Sequence, residues 1–506
     1  MTPTGVSAAM PRALLAALHG AAVQGAAPFA RTREAVDAWW REHRFSSATP
    51  VHLFALGKAS PAMAAGALAA LHAHGVPVIG GVIVSAHTPE ASDWHGVTVP
   101  PGITQRQGDH PVPGPASLDA ADTIDEAVQA VEADAVALVL LSGGTTALCA
   151  APIATLSQAV GDTAQAQAVL ANLAQTLLES GLAIHEMNAI RRRVLRFGAG
   201  RLAVALANRG ARRIGTFAIS DVIGDDPAVI GSGPCTADPL DDADFLALLD
   251  AHDLRPRLQR AMSTVLGLAG TNAPPAVPAA AHPAWALVDY TLVACNADAV
   301  ASLARAAREA GLTSVLVDDT PLEGHADEIG DAWARRALAL ADTLPPGATA
   351  LIVAGGEPVV NLRATVERAV ALGDEDDARL AEYGDADPLL VTAASSADEP
   401  MRGGRMQVLA LSAALALEHA AARGQPAAWR ITLLAGGTDG RDGPTDAAGA
   451  IVDAAVPALA RRNGRSPEAD LASGRSWFPL DAADALLRTG PTGTNVMDVV
   501  AVLVRG

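Results

Sequence analysis

The stretch TLLAGGTDGRDGPTDAAGA, from Thr432 to Ala450, decides how the chain is read. An apolar run, Trp429 to Leu434, leads into it and predicts a buried strand. The chain then breaks into Gly436, Gly437, Gly440 and Gly443, interleaved with Thr438, Asp439, Asp442 and Asp446. A strand ending in glycines and carboxylates suits an α/β sheet, which binds ligands at the carboxyl edge of its strands. Glycines let backbone N–H groups approach an anion closely. The aspartates would repel a phosphate unless a hard cation such as Mg²⁺ stood between them. A solvated Asp/Gly turn is the plainer alternative. Two TD pairs and two DG pairs in one loop after a strand weigh against it.

Outward from this loop, the same junction recurs. Val51 to Leu56 predicts a strand that runs into Gly57-Lys58-Ala59-Ser60 and then a helix from Met63 to His72. This sets an ammonium at a positive helix start, a seat for phosphate or carboxylate. The GxxxxGK[ST] spacing of a Walker A loop is missing. Ala135 to Leu141 is an almost purely aliphatic strand that ends in Ser142-Gly143-Gly144-Thr145-Thr146. Gly215 to Ile219 leads into Ser220-Asp221-Val222-Ile223-Gly224-Asp225-Asp226. The most basic segment starts at Asn188 and includes Arg191, Arg192 and Arg193; on a helix, Asn188, Arg191 and Arg192 share a face. His110 sits in a Pro-rich turn, as an acid/base group or a structural residue. Further strands are expected at Val78 to Ser85, Tyr290 to Cys295, Ser314 to Val317, Ala350 to Ala354 (followed by Gly355-Gly356-Glu357) and Val499 to Val504. Strand and helix alternate, which argues for open, mostly parallel α/β sheets.

The chain has 506 residues, half of them hydrophobic and only 3% aromatic. Its length suits about two to four domains. The Pro- and Ala-rich run Thr271 to Trp285 divides an expected first domain, 1–270, from a second, 286–506. An acidic surface excursion is expected near 366–400. The net charge of −19, with no compensating basic run, argues against a nucleic-acid partner. Cys149, Cys235 and Cys295 lie far apart without CxxC spacing, which favours a reducing, cytoplasmic setting and speaks against structural zinc. No run reads as long and charge-free enough to span a bilayer, so no membrane partner is expected. The N-terminal ALLAALHGAAVQGAA is interrupted by His19 and Gln24 and reads as a first helix rather than a signal peptide.

Taken together, these segments resemble the glycerate 2-kinase family, whose members are sometimes labelled hydroxypyruvate reductases. The matching segments run in the family's order over nearly the whole chain. They are ALGKASPAM, QGDHPVPGPASLDAA, LLSGGTTAL, NAIRRRVLRFGAGRLA, ISDVIGDDPAVIGSGP, AGGEPVV, RGGRMQ, AGGTDGRDGPTDAAGA and TGPTGTNVMD. The resemblance implies two different α/β domains, the first Rossmann-like with a mostly parallel sheet, and an active site in the cleft between them. It implies transfer of the γ-phosphoryl group of ATP to the 2-hydroxyl of D-glycerate, with Mg²⁺ or another divalent metal, in a monomer or homodimer. By position, the family's essential lysine and arginine match Lys58 and Arg405. Asp439 is then expected to orient or deprotonate the attacking hydroxyl. Asp439, Asp442 and Glu357 are candidates for the metal. Ser142, Gly143, Gly144, Thr145, Asn188, Arg191, Asp221, Thr494 and Asn495 are expected to line the substrate and phosphate sites.

The chain also departs from the family. SGGGSAL has become SGGTTAL, GGRNQE has become GGRMQV, and GGETT has become GGEPV. These changes lie at ligand loops, so a related small hydroxy-acid is an alternative to glycerate. An NAD(P)H-dependent hydroxypyruvate reductase is a second reading, and would want a GxGxxG fingerprint that the sequence lacks. A non-catalytic binder of sugar acids or nucleotides is a third.

Overall fold

The computed structural model describes residues 9–178, 180, 182, 184–252, 254, 260–266, 274–360 and 401–506. The expected acidic excursion at 366–400 lies outside the described residues. The chain forms two compact units: one is Ala27–Cys295, the other Asn296–Gly506 together with the N-terminal helix up to Ala26. The expected division between 270 and 286 therefore moves, because Val288–Ala294 is a strand of the first unit's sheet.

Among its described residues the unit Ala27–Cys295 carries six parallel strands. They are β1 (Val51–Leu56), β2 (Val78–Ser85), β3 (Ile103–Gln107), β4 (Val136–Leu141), β5 (Arg213–Ile219) and β6 (Val288–Ala294). Their order is β3-β2-β1-β4-β5-β6. VHLFAL and VALVLL are buried at every residue, as strands covered by helices on both faces must be. On one face the helices Pro115–Gln129 and Arg201–Asn208 share a core with Phe54, Leu56, Val139, Leu141 and Ile214. On the other, Trp39 meets Phe217 edge-on. The strand order reverses between β1 and β4, and such a switch point opens a crevice at the carboxyl ends of the two strands. Gly57-Lys58 and Ser142-Gly143-Gly144 are the loops that leave those two ends.

The second unit has a mixed sheet in the order β11-β10-β9-β12-β8-β7. Its strands are β7 (Ser314–Val317), β8 (Thr349–Gly356), β9 (Ile431–Gly437), β10 (Gly449–Val452), β11 (Leu486–Leu487) and β12 (Asp498–Arg505). Among these described strands only β7 and β8 pair in parallel. Central β12 runs antiparallel to both β8 and β9, so it begins where they end: Asp498 lies opposite Gly356 and Gly437. The helices Arg405–Ala422 and Ala326–Ala341 pack closely on this sheet through small residues, among them Ala334, Ala337, Ala410 and Ala413.

Met10–His43 is the one described stretch with the length and composition of a membrane span, where the sequence reading expected no such run. It is two helices, α1 (Ala9–Gly25) and α2 (Pro28–His43). They enter different units. There α1 buries Leu15, Leu18 and Ala22, and α2 buries Val36, Trp39 and Trp40. Both behave as core helices.

Candidate active site

In the parallel-sheet unit, the loops after β1 and β4 hold one another. The Lys58 amide donates to the Gly143 carbonyl at 2.9 Å, and the Ala59 amide donates to Ser142 Oγ at 3.0 Å. Lys58 itself is exposed. Its stem and the His110 ring lie against Gly144, within 3.3 Å of where a Cβ would stand. Asp221 leans on Gly143 so closely that a Cβ there would come within 1.9 Å of Oδ2, so any larger residue would have to displace the Asp221 carboxylate. Lys58, His110, Gly143, Gly144 and Asp221 thus gather at the switch point.

Several expected ligand groups are committed elsewhere. Ser142 is buried, and its Oγ serves the β1 loop. The Thr145 hydroxyl is buried and donates to the carbonyl oxygens of Leu56 and Ser142, both 2.8 Å away, so this side chain braces the turn. Asn188 and Arg191 lie on the helix Ile184–Val194. That helix packs against Ile230–Ser232, which in turn touches the turn Thr145–Leu148. The basic run is mostly structural. Arg192 pairs with Asp238 at 2.9 Å, while buried Arg193 pairs with Asp238 at 2.8 Å and Asp242 at 2.5 Å and stacks over Phe245. Arg192 therefore does not share a ligand-facing role with Asn188 and Arg191. Arg191 differs: its Nε–H is buried without a hydrogen-bond partner among the described residues, and burial pulls its pKa down. A guanidinium left in that state suits an incoming anion.

In the mixed-sheet unit, Arg405 opens the helix Arg405–Ala422. Its Nε donates to Asp498 Oδ2 at 2.5 Å, and its Nη1 to Glu357 Oε1 at 2.8 Å. Glu357 follows the end of β8, and Asp498 begins β12. The sequence reading missed Asp498. Its signal was the last letter of TGPTGTNVMD, and only the antiparallel course of β12 brings it beside Gly437 and Gly356. Asn296 holds this strand start, donating through Nδ2 to the carbonyls of Val496 and Asp498.

Asp442, one of the three expected metal ligands, is engaged at a helix start. It is buried, and its Oδ1 and Oδ2 accept the amides of Met406 at 3.1 Å and Gln407 at 2.7 Å. It caps the helix that carries Arg405, where the exposed amides and the helix dipole favour a carboxylate. A Cβ on Gly404 would come within 2.2 Å of Asp442 Oδ1, so this glycine is the gap through which the cap reaches. Burial and the nearby Asp498 push Asp442 up to about 7, against the pull of both amides and Arg405. Burial likewise pushes Asp498 up to about 6; Arg405 opposes this, while Glu357 and Asp439 add to it.

Asp439 is partly exposed and accepts the Arg441 amide at 2.9 Å. The TGPTGTN segment is buckled onto this turn. Thr492 donates to the Thr438 carbonyl, and Thr438 bonds Met497 and Val496. Buried Thr494 donates to the Ala26 carbonyl at 2.9 Å, and Asn495 Oδ1 accepts the Met497 amide at 3.1 Å. Their side chains therefore shape the loop. Among the described residues no three His, Cys, Asp or Glu side chains converge to hold a metal. Asp439 and Glu357 still offer carboxylate oxygens beyond the ends of β9 and β8, the two strands that flank β12, which fits a hard cation that takes most of its ligands from phosphate and water.

Two family models match the chain: a domain of unknown function, DUF4147, over residues 14–267, and the MOFRL family over residues 391–498. A protein of Agrobacterium vitis named as a hydroxypyruvate reductase is 34% identical over 451 residues, 88% of this chain and 86% of that one. A D-glycerate 2-kinase of Thermotoga maritima is 28% identical over 400 residues, 78% of each chain. The crystal structure of a glycerate kinase from Thermotoga maritima matches with a TM-score of 0.72 at 26% identity, covering 98% of this chain and 99% of that one.

Proposed function

The chain belongs to the glycerate kinase family that joins a DUF4147 segment to a MOFRL segment, and from that premise we propose that it transfers the γ-phosphoryl group of ATP to the 2-hydroxyl of D-glycerate. The observation that carries the proposal is the setting of its two cations. Lys58 stands exposed at a switch-point helix start, and Arg405 is fixed at another helix start by Asp498 and Glu357. Phosphoryl transfer asks for little beyond positioned reactants and fixed positive charge around the moving group.

In this reading Lys58 and Arg405 neutralise charge on the transferring phosphoryl group. The N–H groups of Gly143 and Gly144 approach an anionic oxygen. Arg191 takes the substrate carboxylate through its unpartnered Nε–H, with Asn188 beside it on the helix. Asp439 accepts the hydroxyl proton as the substrate oxygen bonds to phosphorus, and the bond to the β,γ-bridging oxygen breaks to release ADP. Asp439 and Glu357 would hold a divalent cation arriving with the nucleotide, which when bound shields the phosphate oxygens.

The reductase reading has a relative's name behind it. The site offers it less: the turn after β1 has one glycine and Lys58 in place of GxGxxG, and β2 ends in Ser85 rather than an acidic residue for a ribose. The test is ADP release from ATP and Mg²⁺ with D-glycerate, beside NADH oxidation with hydroxypyruvate. The proposal expects the first and not the second. It also expects Lys58→Ala to lose turnover about a thousandfold or more with an unchanged melting curve. Full activity in that variant, or NADH oxidation alone, contradicts it.

A further inference from the structure

His19 lies in α1, on the face that buries Leu15, Leu18 and Ala22, and is itself completely buried. An imidazole on an otherwise apolar helix face has to be justified by a bond. Its Nε2 is 3.0 Å from the Gly437 carbonyl oxygen, 418 residues along the chain. A carbonyl only accepts, so Nε2 carries the proton. Nδ1 is buried with no partner among the described residues, which fixes the ring as neutral with one committed donor. The ring also abuts Gly436, where a Cβ would stand 2.9 Å from Cδ2.

Gly437 is the last residue of β9 and the first of the turn that presents Thr438 and Asp439. Its amide is taken by the Ala448 carbonyl at 2.7 Å. Its carbonyl is approached from within the turn only by the Gly440 amide, at 3.4 Å. The His19 bond is thus the shorter of the two that this carbonyl accepts, while the amide of the same peptide, that of Thr438, donates to the Met497 carbonyl at 3.0 Å. The end of the same helix receives Thr494 Oγ at the Ala26 carbonyl, 2.9 Å away, from the loop buckled over the turn.

We infer that His19 is a positioning residue for the Asp439 turn: through its Nε2–H it sets the Gly437 peptide, and so the carboxylate two residues on, for the phosphoryl-transfer step. The inference rests on the kinase reading for its kinetic consequence but not for its structural one. A leucine would fill the apolar face without setting the turn. A glutamine keeps an amide N–H near the place of Nε2.

The experiment compares wild type, His19→Leu and His19→Gln by hydrogen–deuterium exchange of the peptides covering residues 438–443, by thermal melting, and by kcat and KM with ATP and D-glycerate. In His19→Leu, exchange should rise in 438–443 alone and kcat should fall about tenfold, with KM for ATP changed less than about twofold; His19→Gln should restore most of both. Unchanged exchange and kcat in His19→Leu would overturn the inference. So would exchange rising across the whole unit without rescue by glutamine, which marks a merely structural histidine. If the wild type turns over nothing yet exchange moves and is rescued as described, the kinase reading fails and the positioning role stands. Should His19→Leu fail to fold, His19→Asn, whose shorter amide reaches only to the Nδ1 position, replaces it with the same expected and overturning results.

Discussion

Asp439 and Asp442 stand three residues apart in one loop, and the structure gives them different work. Spacing alone treats them as equals, because both follow a strand end and precede glycine. What separates them is which one the folded loop turns toward the helix Arg405–Ala422, and that depends on a contact across the unit. Asp442→Ala should leave two buried amides unsatisfied and destabilise the protein by about 3 kcal/mol, read from urea denaturation, while the Mg²⁺ requirement of turnover stays put. Unchanged stability with a raised metal requirement would return Asp442 to the metal shell. The strand and helix on either side of Lys58 were legible because that junction is local, whereas the role expected of the lysine came from the resemblance. Asp498 was not legible, since its neighbours Gly437 and Gly356 come from strands far away in sequence.

Elements were legible where apolar runs were long. β1, β4 and β8 fall close to where their Val, Leu and Ile runs predict them. Polar β3 (ITQRQ) and short β10 and β11 carry no such run, and were missed. β1 also holds a histidine that the run concealed. His52 is buried, and neither ring nitrogen has a partner among the described residues. Burial lowers its pKa from 6.5, and the Glu132 charge only partly opposes this. Because the folded state disfavours the charged ring, His52 leaves stability intact above pH 6.5 and removes it as the pH falls through the lowered value. His52→Leu should therefore melt several degrees higher than wild type near pH 5.5 and close to it near pH 8. Parallel pH profiles for the two proteins would contradict this.

For the whole molecule, the surprise is where α1 goes. A helix that precedes the parallel-sheet unit in sequence enters the core of the other one, packing on β9, β12 and the helix Asn296–Glu309. Hydrophobic periodicity reports that a helix has a buried face, not which core receives it, so the sequence placed the boundaries wrongly at both ends. Removing residues 1–26 should cost the mixed-sheet unit about 5 kcal/mol, from two leucines, a histidine contact and small residues. In calorimetry the transition of that unit should move down while that of Ala27–Cys295 holds; the opposite shift would contradict the assignment. The central claim concerns what the chain makes. Protein incubated with ATP, Mg²⁺ and D-glycerate, followed by phosphorus NMR with proton coupling, should accumulate 2-phosphoglycerate together with ADP. A phosphoryl group on another carbon, or ATP left intact by protein that still binds it, would contradict the account.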